Sequence, residues 1–284
     1  MWEPEEMRRG LLTLFVALTV AAATTVSTDA SAGEFVELPG ATKPWGEPVR
    51  LVGYMARPVG PGPFPAVVLL HGCGGFHGNM ISWADRLSRF GYVALAIDSF
   101  GPRGLDEDCN GAGIPYQVPD GYVGLRHLAT RPFVRASHVA VIGFSQGGWS
   151  VLAALEKNGV EQRSSEKFRA GIALYPLCRF STGLTTVPVL VLVGDADNWT
   201  PSADCEAMAA GRTELGAPRM PGDRSMIELV IYPGAHHGFD LLDLSLAPER
   251  GVSSHGYRVE YNEEATRNSI VRVRDFLQRT IGRQ

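Results

Sequence analysis

The chain has 284 residues, 45% of them apolar, and a formal net charge of −4. This length and apolar share fit one folded domain with a full core. Weak net acidity and scattered Lys and Arg exclude an electrostatic case for nucleic acid or an anionic membrane surface as partner.

The opening segment reads as an export signal. Arg8 and Arg9 precede an apolar stretch over 11–23, and Ala30-Ser31-Ala32 offers small residues for cleavage before Gly33. The stretch is shorter than the ~20 residues that a membrane span requires. Residues 1–32 are therefore expected to be removed, leaving a domain over 33–284 with no stable membrane association. Glu3, Glu5 and Glu6 sit ahead of the basic pair, and Met7 would begin a cleaner signal.

Residues 49–56 are expected to add an antiparallel edge. The apolar runs 66–70 and 93–97 flank an amphipathic stretch over 81–90, a strand–helix–strand crossover that implies parallel pairing. Residues 100–119 carry many Gly, Pro and Asp and no periodicity, as expected of a long loop at a strand end. A buried-type strand over 139–142 leads into a helix through 151–155. Strands over 171–175, 189–193 and 227–231 follow, and 265–281 closes the chain as an amphipathic helix. The alternation predicts a doubly wound α/β domain, its mostly parallel sheet covered by helices on both faces.

Three loops after these strands carry chemistry. Gly143-Phe144-Ser145-Gln146-Gly147 follows an apolar strand and opens a helix. A serine there is lifted clear of the backbone by a tight turn, and small residues two away on each side let the turn close. A serine hydroxyl needs a base, and imidazole titrates in the right range. His236 and His237 follow the strand over 227–231. Asp195 and Asp197, after the strand over 189–193, offer the carboxylate that would orient the imidazole. Spacing does not choose within either pair. His71-Gly72-Cys73-Gly74-Gly75 follows the strand over 66–70 and fits a loop that brings a backbone N–H, that of Cys73, to an oxyanion; the N–H of Gln146 is the other expected donor. No cofactor is called for, because a triad and backbone donors suffice.

In an oxidising compartment four cysteines favour disulfides. Cys73 and Cys109 lie in loops after neighbouring strands. Cys178 follows the strand over 171–175, and Cys205 lies early in the helix after the next strand. Bridging needs Cα atoms within roughly 7 Å, so the expected pairs are Cys73–Cys109 and Cys178–Cys205.

Together the motifs HGCGG at His71, DSFGPRG at Asp98, GFSQGG at Gly143, GDADNWTP at Gly194 and YPGAHHGFD at Tyr232 resemble the dienelactone hydrolase family of the α/β-hydrolase fold, in an exported, serine-containing branch. The resemblance implies Asp197 as the acid, from its D-x-x-[VT]-P pattern, and His237 as the base, directly before Gly238-Phe239. It implies hydrolysis of a small-molecule carboxylic ester or lactone through an acyl-enzyme. The enzymes that named the family carry cysteine where this chain has Ser145, which favours general esters over dienelactone itself. In them an arginine after the strand matching 93–97 holds a substrate carboxylate. Arg103 lies in the corresponding loop, with a surface salt bridge as its other reading. A non-catalytic binding protein on the same scaffold and a peptidase of related fold are the competing classes. Peptidases of this fold usually carry an extra gating domain, for which no segment here is long enough.

Overall fold

Eight strands form one sheet in the order β1-β2-β4-β3-β5-β6-β7-β8, in a computed structural model that describes residues 33–42, 46–109, 114–213, 226–243, 251 and 255–282. The expected export signal lies outside the described residues. β1 (Glu34–Thr42) and β2 (Pro48–Ala56) form the antiparallel edge. β3 (Phe64–Leu70), β4 (Val93–Asp98), β5 (Val134–Phe144), β6 (Ala170–Leu174), β7 (Val189–Gly194) and β8 (Ile227–Tyr232) run parallel. β3, β6 and β7 are buried at every residue, which is why they read as unbroken apolar runs rather than alternating ones.

The pleat divides the core in two. Val68 and Leu70 of β3 face one layer with α2 (Ile114–Ala129), α3 (Gln146–Leu155) and α4 (Ser202–Ala209). Val67 and Leu69 face the other, with α1 (Gly78–Arg89) and α5 (Glu263–Thr280). The Asn262 side chain caps α5 by accepting from the Ala265 N–H at 3.0 Å, and Glu263 and Glu264 occupy its first turn. Such a cap is worth about 1 kcal/mol.

Two elements depart from the sequence reading. β1 supplies the partner that the edge at 49–56 lacked; its mostly exposed residues give no apolar run. The expected loop over 100–119 ends early, because α2 begins at Ile114 and contains Pro119. Pro119, Gly121 and Gly124 obscure the helical period in sequence.

That missed helix supplies the partner of Arg103, and of its two readings the salt bridge is the one present, buried and not at the surface. Its guanidinium forks onto Asp120 of α2 at 2.7 and 2.9 Å, donates to the Ser99 carbonyl at 2.6 Å, and lies over the Tyr116 ring. Both side chains are almost fully buried, at 2% and 1% exposure. Arg103 does not line the cleft that holds Ser145; its donors tie the 99–103 turn to α2 and to the Thr42 carbonyl at the end of β1. Removing one partner of a buried pair strands the other charge. Arg103→Ala is therefore expected to lower unfolding stability by about 3–5 kcal/mol in urea titrations, while Arg103→Met with Asp120→Leu recovers most of it. A destabilisation under about 1 kcal/mol for the single variant would contradict this role.

Candidate active site

The carboxyl ends of β3 and β5 lie side by side, although the chain visits β4 between them. This is the point where an open α/β sheet presents its crevice. Ser145 follows β5 at φ 54° and ψ −115°, in the left-handed region that a side-chain-bearing residue enters only when its surroundings force it. They do so here. A Cβ on Gly147 would sit 2.3 Å from the Leu70 carbonyl oxygen, and one on Gly143 would sit 2.1 Å from that of Gly147. Only glycine permits this approach, and the turn leaves the Ser145 side chain at the N-terminus of α3.

His237 meets Ser145 from the loop after β8. Its Nε2 lies 2.9 Å from Ser145 Oγ, and its Nδ1 lies 2.8 Å from Asp197 Oδ2 in the loop after β7. The imidazole is 3% exposed and packs between Tyr175 and Trp199, with ring centroids at 4.8 and 4.9 Å. Asp197 also accepts from the backbone N–H groups of Trp199 (2.9 Å) and Thr200 (2.8 Å) and from the Thr200 hydroxyl (2.8 Å). Burial pushes its carboxyl up, but the His237 contact and these donors outweigh that and hold it below its ordinary value. The other member of each sequence pair is elsewhere. Asp195 accepts from the Gly234 N–H at 2.6 Å and so ties the two loops together. His236 makes no contact of this kind with Ser145, and its Nδ1 is buried without a partner among the described residues.

The glycine loop after β3 runs alongside, where a Cβ on Gly72 would lie 3.5 Å from Ser145 Cβ. Cys73 is bonded to Cys109 and Cys178 to Cys205. The Asp108 N–H donates to the Cys73 carbonyl at 2.8 Å, and Gln146 Nε2 donates to the Asp108 carbonyl at 3.2 Å. The two residues whose backbone amides are expected at an oxyanion are thus both fastened to the segment 108–109. Among the described residues, neither amide donates to another backbone carbonyl.

His71 holds the loop from beneath. Its Nε2 accepts from the Ser99 N–H at 3.1 Å, so Nδ1 carries the proton, 2.7 Å from the Gly72 carbonyl oxygen. Gln117 Nε2 donates to the His71 carbonyl at 2.7 Å, and the Ser150 hydroxyl donates to Gln117 Oε1 at 2.9 Å. The ring is wholly buried.

These loops frame a cleft of about 860 Å³ bounded by Ser145, His237, Trp83, Tyr175, Trp199 and Asp240. Sequence reasoning did not single out the last group. Asp240 accepts from Trp83 Nε1 and from the Tyr175 hydroxyl, each at 2.7 Å. Thr200 was legible only as part of the D-x-x-[VT]-P pattern; its hydroxyl also lies 3.2 Å from His237 Nδ1. Among the described residues no group of His, Cys, Asp and Glu is arranged to hold a metal ion.

The family model described as the dienelactone hydrolase family matches residues 51–281. A Bradyrhizobium protein named "Probable 2-oxo-3-(5-oxofuran-2-ylidene)propanoate lactonase" is 29% identical over 210 residues, covering 66% of this chain and 78% of its own. Among solved structures, a metagenomic dienelactone hydrolase-like promiscuous phosphotriesterase superposes with a TM-score of 0.66 at 20% identity, covering 89% of this chain and 100% of its own. An esterase from Pyrobaculum calidifontis gives 0.62 at 17% identity, covering 89% and 87%. The two structures establish the fold.

Burial pulls the His71 pKa down to about 4, against an unfolded value near 6.5. Between those values only the unfolded chain takes up a proton there, so the His71 contribution is whole above about pH 6.5 and is lost as pH falls toward 4. NMR titration should find a His71 imidazole that stays neutral down to about pH 4, with unfolding stability declining across that window. Protonation of His71 near pH 6.5 would contradict this.

Proposed function

The chain belongs to the dienelactone hydrolase family and is a hydrolase of ester or lactone type, and on that footing we propose that Ser145, His237 and Asp197 form its nucleophile, base and acid. One observation carries the reading: a single buried imidazole spans Ser145 Oγ and Asp197 Oδ2 at 2.9 and 2.8 Å.

The chemistry follows from those contacts. His237 Nε2 takes the hydroxyl proton as Ser145 Oγ attacks the carbonyl carbon. Asp197, kept ionised by its donors, fixes the Nδ1–H tautomer and stabilises the imidazolium. The negative charge on the tetrahedral oxygen is met by the N–H groups of Cys73 and Gln146. His237 then returns the proton to the leaving alkoxide, giving an acyl-serine; with a lactone the alkoxide stays tethered to the acyl chain. Water, deprotonated by the same imidazole, releases the acid and restores Ser145.

The substrate we propose is a small-molecule carboxylic ester or lactone, taken into the cleft beside Ser145. We also propose export, with residues 1–32 as the signal. Two disulfides support an oxidising compartment, and among the described residues no helix is long and apolar enough to cross a membrane.

Site-directed variants assayed on short acyl esters test the assignment. Ser145→Ala and His237→Ala are expected to lose about 10⁴-fold or more in turnover, with His236→Ala close to wild type. Asp197→Asn presents the wrong group to Nδ1 and is expected to cost far more turnover than Asp195→Asn. Near-normal turnover in Ser145→Ala, or a reversed order in either pair, would overturn the assignment.

A further inference from the structure

The cleft holds a second buried carboxylate that the triad does not use. Asp240 is 7% exposed and takes one hydrogen bond at each oxygen, from Trp83 of α1 and from Tyr175 at the end of β6. Both donors are neutral, and among the described residues no cation forms an ion pair with it. A carboxylate without a cation is an expensive group to bury. Burial pushes the Asp240 carboxyl up, and the two hydrogen bonds work against that. A buried acid with a raised pKa in a cleft is a candidate functional position.

Tyr175 connects this carboxylate to the imidazole. Its ring meets His237 edge to face at 4.8 Å and Phe239 in the same manner at 5.3 Å. Its carbonyl oxygen lies 3.1 Å from the oxygen of the Thr200 hydroxyl that donates to Asp197 beside His237. Its backbone sits at φ 39°, a left-handed conformation that the contacts around it must hold.

We propose that Asp240 is a positioning residue of the reaction, which anchors the Tyr175 ring against His237 and adds a second negative charge favouring the imidazolium formed when His237 takes the Ser145 proton. This rests on the reading of Ser145, His237 and Asp197 as the triad. The titratable groups facing His237 are Asp197 from the loop after β7, Tyr175 from the end of β6 and Asp240 from its own loop. Those facing Asp240 are Tyr175, His237 and Arg86 of α1, with Arg89 and Tyr261 beside Arg86. Arg86 offsets part of the Asp240 charge, so the effect at His237 is modest.

Asp240→Asn tests the charge while keeping the shape. Its amide satisfies both neighbours, because the carbonyl can accept from Trp83 while the Tyr175 hydroxyl reverses to accept from the NH₂. With p-nitrophenyl acetate, kcat is expected to fall about 10-fold and KM to stay within about twofold. The acid limb of kcat/KM is expected to move about half a unit to lower pH, because imidazolium has lost a stabilising charge. Tyr175→Phe keeps the ring and removes the anchor, together with one of the two donors that hold the Asp240 carboxyl down; it should lower kcat several-fold, and it decides the anchoring role if D240N does not fold. Wild-type kcat in Tyr175→Phe overturns the proposal. So does an unmoved acid limb in a folded D240N, because lost packing alone would leave the limb in place. Ser145→Ala, assayed in parallel, separates the two readings. Retained turnover there sinks the triad itself, whereas lost turnover beside a wild-type D240N sinks only the role of Asp240.

Discussion

The architecture of the cleft depends on one close approach, that of the Gly147 backbone to the carbonyl oxygens of Leu70 and His71. It joins the end of β5 to the end of β3 with no room for a side chain between them. Three consequences follow from that contact. Ser145 is held at φ 54°, α3 starts immediately behind it, and the glycine loop beginning at His71 is brought alongside. The lower layer of this contact is a polar chain, running from the Ser99 N–H through His71 and Gln117 to Ser150. The neutral state of His71 belongs to the same economy, since a buried imidazolium beneath the loop would need an acceptor where the Ser99 N–H now donates.

Three buried carboxylates show how this fold treats negative charge. Asp120 is given a guanidinium, and the result is a brace between the 99–103 turn and α2. Asp197 is given the His237 imidazole, two backbone N–H groups and a hydroxyl, and it is held ionised below its ordinary value. Asp240 is given only an indole and a phenol. The first arrangement stabilises structure, because an unpaired partner would be intolerable. The second keeps a carboxylate available to orient an imidazole across the working pH range. The third, on the role proposed for Asp240, sets a negative charge beside a base, with Arg86 offsetting part of it.

Much of the sheet was legible because central parallel strands, buried on both faces, leave continuous apolar runs. The Ser145 turn was legible because its glycines are compulsory. The choice between His236 and His237, or between Asp195 and Asp197, was not open to spacing, since neighbours in a loop diverge; only the family pattern distinguished them. Arg103 was misread for a concrete reason. Its partner Asp120 stands 17 residues on, in a helix whose Pro and Gly content hid its period, so a salt bridge was expected only at the surface. Asp240 was beyond reach for a similar one: its donors lie 157 and 65 residues away in sequence, and no local pattern records them.

The central claim is that one serine, activated by one imidazole, does the chemistry. Peptide mapping after reaction with a fluorophosphonate probe tests it most directly. The account predicts a single phosphonylated position, Ser145, with esterase turnover lost in proportion to labelling. Labelling confined to another residue, or full turnover in a protein labelled at Ser145, would contradict it.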